Sequence, residues 1–255
     1  MPSRMILTAL EGVPEVAPGD DLTQVVAESL DVSGETLADG DVLVIAQKII
    51  SKAEGRIVDL RTVKPSERAL FLAEQVDKDP RHVELVLRES NEVVKHRPGV
   101  LVVEQKLGLV MANAGIDHSN IQQNEFGERV LLLPVDPDAS ANRLKDELAK
   151  RLDVSVGVVI NDSVGRAWRI GTVGLAIGVA GLPAVVDLRG ATDRYGRELL
   201  VSEEAVADEL ASAASLLQGQ AAEGLPIVMV RGFSSKAPEQ GAGVLVRPRE
   251  MDMFR

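Results

Sequence analysis

Apolar positions along the chain switch between a period of two and a period near 3.6, and the switches mark out its elements. Ile6 to Leu10 reads as a first strand, followed by a loop through Glu11, Gly12, Val13, Pro14 and Glu15. Asp20 or Asp21 is placed to cap a helix running to about Leu30. Gly40-Asp41 is a turn signal ahead of a short apolar strand, Val42 to Ala46. Pro65-Ser66 opens a helix to about Val76 with Ser66 as N-cap, and Pro80 starts another reaching Ser90. Val93-Val94, Val100 to Val103 and Leu107 to Met111 are β-like, as is Val130 to Leu133. Asp136-Pro137 begins a helix to about Leu152, with Leu144, Leu148 and Leu152 on one face. Val156 to Ile160 is a buried strand, and apolar segments continue through Val186. A polar loop from Asp187 to Arg197 follows; Ser202 opens an Ala-rich helix to about Leu217, and Ile227 to Val230 is the last clear strand. From Ser234 to Arg255 the signals are mixed. Strands and helices mix without strict βαβ alternation, so the expected class is α+β, with mixed sheets and flanking helices, rather than a doubly wound sheet.

Composition narrows the function classes. Apolar residues make up 45% of the 255 positions, enough for a sizeable core. With aromatics at only 2%, that core must be aliphatic, and the single Trp168 and single Tyr195 both fall in polar, Gly-containing loops, which hints at a site. The absence of cysteine excludes disulfides and thiolate zinc sites. The start, Met1 to Met5, carries no apolar leader segment, and the longest uncharged stretch, Ile170 to Val186, is shorter than the roughly 20 residues of a spanning helix. A cytoplasmic location with no membrane partner is therefore expected. The net charge of −11, with no Lys/Arg run interleaved with aromatics, argues against a nucleic-acid partner.

Several catalytic signatures are absent: no P-loop, no Gly-x-Gly-x-x-Gly after a strand and no His-Glu-x-x-His. Ser163 is no nucleophile elbow, since position 161 is Asn rather than Gly. His82, His96 and His118 lack zinc spacing; His82 and His96 are expected on the surface, while His118 adjoins Asp117. What remains is a pair of acidic loops. Asp117 follows an apolar strand in a loop with Asn113, Gly115 and Asn120, and Asp162 follows Val156 to Ile160 with Ser163 beside it. Asx-turn capping accounts for either loop by itself. Together they equally suit a hard cation such as Mg²⁺ or Mn²⁺, which wants carboxylate, hydroxyl and amide oxygens. Lys48 and Lys52 after Val42 to Ala46, and Arg166 and Arg169 flanking Trp168, are cations of the kind phosphate recognition needs, or else solvated surface charges. Gly171, Gly174, Gly178 and Gly181 punctuate an apolar run, which favours tight strand packing over ligand approach.

With these residues laid out, the chain resembles the coenzyme F-420 γ-glutamyl ligase family, in its stand-alone form. The likeness runs from about Leu10 to Gly232. It rests on Gly40-Asp41-Val42-Leu43-Val44, Ser51-Lys52-Ala53-Glu54-Gly55, Asn113-Ala114-Gly115-Ile116-Asp117, Ser119-Asn120, Asp162-Ser163, Gly165-Arg166 and Tyr195-Gly196-Arg197. It implies one ligase-like domain over residues 1–232, of two intimately packed subdomains, with 233–255 as its tail. It also implies GTP-dependent joining of L-glutamate to the terminal carboxylate of the F-420-0 precursor and, in the family, addition of further γ-linked glutamates. Two Mg²⁺ or Mn²⁺ sites, K⁺ as a further cation and a homodimer come with it.

Carried over by matched motif, Asp117, Asp162, Ser163 and Gln220 would bind the metals; as an amide, Gln220 offers oxygen without charge. Val13, Pro14, Glu15, Val16, Gln47, Lys48, Lys52, Asn120 and the turn Gln218-Gly219-Gln220 would line the GTP site. A carboxylate is a poor acyl donor, so γ-phosphoryl transfer would activate it as an acyl phosphate for attack by the glutamate amine, with metals neutralising the phosphoryl charge. Lys52 or Arg169 would hold the phosphates or the anionic substrate; no residue stands out as a general base. A metal-dependent phosphoesterase on the same two Asp loops and a non-catalytic nucleotide-binding protein are the alternatives.

Overall fold

The structure is a computed structural model that describes residues 4–123, 125 and 127–253. Met1 to Ser3 and the last two positions of the predicted tail lie outside the described residues. In chain order the strands are β1 (Ile6–Ala9), β2 (Val42–Ala46), β3 (Ile57–Asp59), β4 (Ser90–Arg97), β5 (Val100–Gln105), β6 (Val110–Ala112), β7 (Arg129–Leu131), β8 (Gly157–Gly165), β9 (Thr172–Ala180), β10 (Val186–Asp187), β11 (Glu203–Glu204) and β12 (Ile227–Arg231). The α-helices are α1 (Leu22–Ser33), α2 (Gln47–Ala53), α3 (Glu67–Val76), α4 (Pro80–Arg88), α5 (Pro137–Leu152) and α6 (Val206–Gln218). The fold is α+β, as expected.

A five-stranded sheet in the order β1-β12-β2-β8-β9 forms the centre. Only β2 and β8 run parallel; the other pairs are antiparallel. Side chains of one strand alternate between two cores, as a pleated strand demands. Leu43, Ile45, Val158, Ile160, Ile227 and Met229 face a core shared with Val25, Val26 and Leu30 of α1 and Leu144 and Leu148 of α5. Val42, Val44, Val159, Val228 and Val230 face the opposite core, covered by Ala207, Leu210, Ala211 and Ala214 of α6. Burying each such Leu, Ile or Val contributes about 1.5–3 kcal/mol relative to leaving it exposed. A third core lies between Leu60 and Leu132, under α3, α4 and β5. The segment after β7 joins the two regions: Leu132 packs into the third core and Leu133 into the first.

Capping follows the sequence. Asp21 accepts from Thr23 and Gln24 at the start of α1, Ser66 from Ala69 at α3, and Asp136 from Ala139 at α5. Helix α6 departs from expectation. Ser202 does not open it, because Glu203 and Glu204 pair with Asp187 and Val186 first. Its N-cap, Ala205, supplies no side-chain bond. Strand β8 runs through Gly165 instead of ending at Ile160, since β9 continues to pair with it beyond the end of β2.

His82 is buried, not on the surface: it is only 7% exposed and its ring stacks on His118 with centroids 5.2 Å apart. The face of α4 that carries Val83 and Val86 into the third core also carries His82 inward. Trp168 and Tyr195, by contrast, are 81% and 95% exposed. The glycine-punctuated run is packing, as anticipated. A Cβ on Gly174 would sit 2.2 Å from the Ala211 carbonyl oxygen of α6, and one on Gly178 would sit 2.5 Å from the Pro137 carbonyl oxygen of α5. The two helices can lie on β9 only because those side chains are missing.

Two stability outcomes follow. Gly174→Ala should cost about 1–3 kcal/mol in urea unfolding through overpacking, while Gly243→Ala, whose Cβ meets nothing within 4 Å, should stay within about 0.5 kcal/mol of wild type. Burial, helped by the neighbouring His118, pushes the His82 imidazole down from 6.5 to about 4. As pH falls through that window the unfolded chain takes up a proton that the folded ring refuses, so stability drops below pH 6.5 and the loss is complete below about 4. Replacing His82 by Met should remove about 3 kcal/mol of the stability difference between pH 7 and pH 4, measured by denaturant titration at each pH.

Candidate active site

The functional side chains meet at one end of the central sheet. Because β2 and β8 are parallel neighbours with Ala46 opposite Asn161, their carboxyl ends lie side by side. Gln47 and Lys48 therefore leave β2 beside Asp162 and Ser163 of β8. Asp162 is the first residue of β8 beyond the end of β2, and beyond that point it has β9 on one side only. Strand β12 is antiparallel to both β1 and β2. The loop after β1, carrying Val13 to Val16, and the loop before β12, from Gln218 to Pro226, consequently open at the same end. Open sheets characteristically place ligands at the carboxyl ends of parallel strands.

Asp117 arrives from elsewhere. It forms an isolated bridge with Leu131, so its segment is an extension of the third core that reaches the central sheet. Left-handed backbone at Asn113, Ala114 and Gly115 makes the sharp turn before it, and Asn120, also left-handed, makes the one after. Asn120 Nδ2 donates to the Ala221 carbonyl at 3.0 Å, tying this segment to the loop before β12.

These elements enclose a cleft of about 1010 Å³. Its walls include Val13, Pro14, Glu15, Val16, Gln47, Lys48, Lys52, Asp117, Asn120, Asp162, Ser163, Gln218, Gly219 and Gln220. All the residues assigned by motif to metal or nucleotide thus share one cavity. Arg169, expected beside Lys52 as a holder of phosphate or substrate, is exposed and is not among the residues lining the cleft. It sits in the turn joining β8 to β9, where positive φ at Trp168 and Gly171 makes the reversal. Arg166 at the same turn has a buried Nη1 with no partner among the described residues. His118 points to the other side of its strand-like segment, into a separate cavity with His82.

Charge in the cleft is organised in two pairs. Lys48 Nζ donates to Asp117 Oδ2 at 2.6 Å and to Ser119 Oγ at 2.7 Å. Lys52 Nζ donates to Glu15 Oε1 at 2.6 Å. Asp117 Oδ1 meanwhile accepts from the Ser119 N–H at 2.7 Å. The Asx turn and the cleft role of Asp117 therefore coexist, each on its own oxygen. Burial raises the Asp117 carboxyl, but the hydrogen bond from Lys48 and the Ser119 N–H outweigh it and hold it below the usual carboxylate range. Asp162 goes the other way. Burial pushes it up to about 6 and the charge of Asp117 adds to that, against the Ser163 N–H, Lys48 and Gln47. A carboxyl that resists ionisation beside another carboxylate is a position where a cation stabilises the charged form.

The remaining polar groups brace the walls. Gln220 Nε2 donates to Ser163 Oγ at 3.0 Å, and its Oε1 accepts from Thr172 Oγ1 at 3.3 Å. Gln218 is a strut: it accepts from Asn161 Nδ2 at 2.6 Å and donates to the carbonyls of Val44 and Pro226. Ser51 Oγ donates to Gln47 Oε1 at 2.8 Å. Among the described residues no cluster of three or more His, Cys, Asp or Glu side chains forms a closed metal cage. Two carboxylates with hydroxyl and amide oxygens and the rest of the cavity open suit a hard divalent ion that keeps waters and takes ligand oxygens. Asn161, Thr172, Ala221, Ala222, Gly224, Leu225 and Pro226 also line the cleft and were not singled out from sequence. Thr172 reaches it only through the β8–β9 register, opposite Gly165.

Residues 12–232 match the family described as F420-0:Gamma-glutamyl ligase. The chain is 45% identical to the coenzyme F420:L-glutamate ligase of Methanothermobacter thermautotrophicus over 98% of both chains. It is 44% identical to that of Methanopyrus kandleri over 96% of this chain and 97% of the other, and 42% identical to that of Archaeoglobus fulgidus over 99% and 97%. With all but the extreme ends aligned and the cleft residues inside the matched span, the chain belongs to the F420-0:gamma-glutamyl ligase family.

Proposed function

We infer that this ligase joins L-glutamate to the terminal carboxylate of the F420-0 precursor at the expense of GTP, by way of an acyl phosphate. The observation that carries this reading is the convergence, in one cleft, of Asp117 and Asp162 from separate segments with Lys48 and Lys52 of α2. That is the charge pattern a metal–nucleotide complex requires. In the first step a carboxylate oxygen of the precursor bonds to the γ-phosphorus, and the bond from that phosphorus to the β–γ bridging oxygen breaks, releasing GDP. In the second, the glutamate nitrogen bonds to the acyl carbon, phosphate departs with the former carboxylate oxygen, and the nitrogen loses its proton.

Asp117, Asp162, Ser163 and Gln220 would hold Mg²⁺ or Mn²⁺, which supplies positive charge against the phosphate oxygens; K⁺ belongs to the same expectation. Lys52, buried at the back of the cleft, would hold a phosphate or substrate carboxylate as a point charge. Val13 to Val16 and Gln218 to Gln220 would form the walls against the nucleotide. Positioning and charge neutralisation carry the rate. A homodimer is part of this reading, and the exposed Trp168, Ile170, Leu200 and Val201 offer apolar surface for it. No helix among the described residues is long and apolar enough to cross a membrane, consistent with soluble substrates.

The assay combines the protein with GTP, Mn²⁺, the precursor and L-glutamate, read by mass spectrometry for a glutamate increment. Product formation with one GDP per amide supports the ligase. Phosphate release that ignores glutamate would identify a phosphoesterase instead, and nucleotide binding without turnover a binding protein. Asp117→Asn and Asp162→Asn should each lower turnover by about 10²-fold or more, with the circular dichroism spectrum of the folded protein retained. Arg169→Ala, outside the residues that line the cleft, should stay close to wild-type turnover.

A further inference from the structure

The two ion pairs of the cleft differ in how evenly their partners are buried. Lys52 is 7% exposed and its partner Glu15 is 67% exposed. Glu15 can return to water at little cost. The ammonium of Lys52 cannot, and a buried charge without a counter-ion is expensive. Lys52 therefore demands an anion at all times, and Glu15 supplies one that is easily exchanged. The second pair is more even, with Lys48 25% and Asp117 34% exposed. Lys48 Nζ lies 2.6 Å from Asp117 Oδ2 and 2.7 Å from Ser119 Oγ, on two oxygens of the kind a hard cation takes.

We propose that Lys48 is a resident cation on Asp117 that a divalent metal must displace, and Glu15 a resident anion on Lys52 that a nucleotide phosphate must displace, so that metal and nucleotide reinforce each other's binding. The proposal rests on the metal–nucleotide reading of the cleft and adds how its two ligands are coupled. A metal arriving alone has to evict Lys48, whose charge then has no partner. With phosphate present, the released ammonium gains one, so eviction costs less. The coupling is reciprocal: whatever factor nucleotide adds to metal affinity, metal adds to nucleotide affinity. Lys48 leaves the first turn of α2 and Lys52 the second, so both answer to one bound polyphosphate.

The test titrates Mn²⁺ into the full-length protein, following the free-ion electron paramagnetic resonance signal, with and without a non-hydrolysable GTP analogue. Wild type should bind Mn²⁺ weakly alone and more tightly with the analogue. Lys48→Met should bind Mn²⁺ alone about tenfold more tightly and gain less from the analogue, because the competitor is gone. Lys52→Met removes the same charge from the same cleft but leaves Asp117's occupant in place, and should not show that gain. Glu15→Gln should bind the analogue more tightly without metal. Lys48→Gln serves as a second variant if Lys48→Met fails to fold. Unchanged Mn²⁺ affinity in both Lys48 variants, or an equal gain in Lys52→Met, would overturn the displacement model while leaving the cleft's assignment standing. Failure of wild type to bind Mn²⁺ under either condition would remove that assignment and the model with it.

Discussion

The parallel pairing of β2 with β8 is the constraint on which the rest of the molecule depends. It is the one parallel contact in a sheet whose other pairs are antiparallel, and it aligns the two carboxyl ends at Ala46 and Asn161. From that alignment Lys48 and Asp162 acquire their proximity. The antiparallel placement of β12 between β1 and β2 then brings two more loops to the same edge. Parallel strands need a long connection. Here the connection contains the entire third core, from Leu60 to Leu132, and that inserted region delivers Asp117 back to the sheet. The topology that solves a strand-pairing problem thereby also assembles a divided acidic site.

Electrostatics in the cleft reflect this divided origin. Each lysine comes from α2, and each of its anionic partners comes from a different segment. The net charge of −11 makes the protein as a whole a poor host for anions. Locally, Lys48 and Lys52 overcome that field because they are close, partly dehydrated and fixed on one short helix, and interactions at short range in a low-dielectric cleft outweigh distant, screened charges. Lys48 and the Ser119 N–H hold Asp117 below its usual range, whereas burial, with a smaller contribution from the charge of Asp117, raises Asp162 to about 6.

Packing imposes a second kind of demand. Gly174 and Gly178 allow α6 and α5 to lie against β9 at backbone distance. Ser212 Oγ then bonds the Gly174 carbonyl at 2.7 Å, and Asp138 accepts from Val179 N–H at 2.8 Å, so the helices are pinned by hydrogen bonds as well as by contact. Residues of the motifs on which the likeness rests take part in structural hydrogen bonds of this kind as well. Asp41 is bound by both Nε and Nη2 of Arg231, at 3.0 and 2.6 Å, which fastens the turn before β2 to β12. Tyr195-Gly196-Arg197 forms an exposed loop whose Tyr195 and Arg197 N–H groups both donate to Asp193.

Local pattern determined much of this protein. Alternation gave the buried strands, the N-caps Asp21, Ser66 and Asp136 started helices where expected, and the shared motifs marked Asp117 and Asp162 together with the lysines. Those features depend on neighbours within a few residues, or on a family likeness written in short collinear runs. Pairing beyond the end of β2 was invisible, so Asp162 was placed in a loop when it belongs to a strand. His82 was placed on the surface because a lone polar residue on an amphipathic helix carries no record of which neighbour will cover it. Trp168 and Arg169 stood out for their rarity and charge, yet the turn between β8 and β9 leaves them in solvent. Only tertiary structure decided which side of each segment faces the cleft, since that choice is made by strand register and by contacts between residues dozens of positions apart.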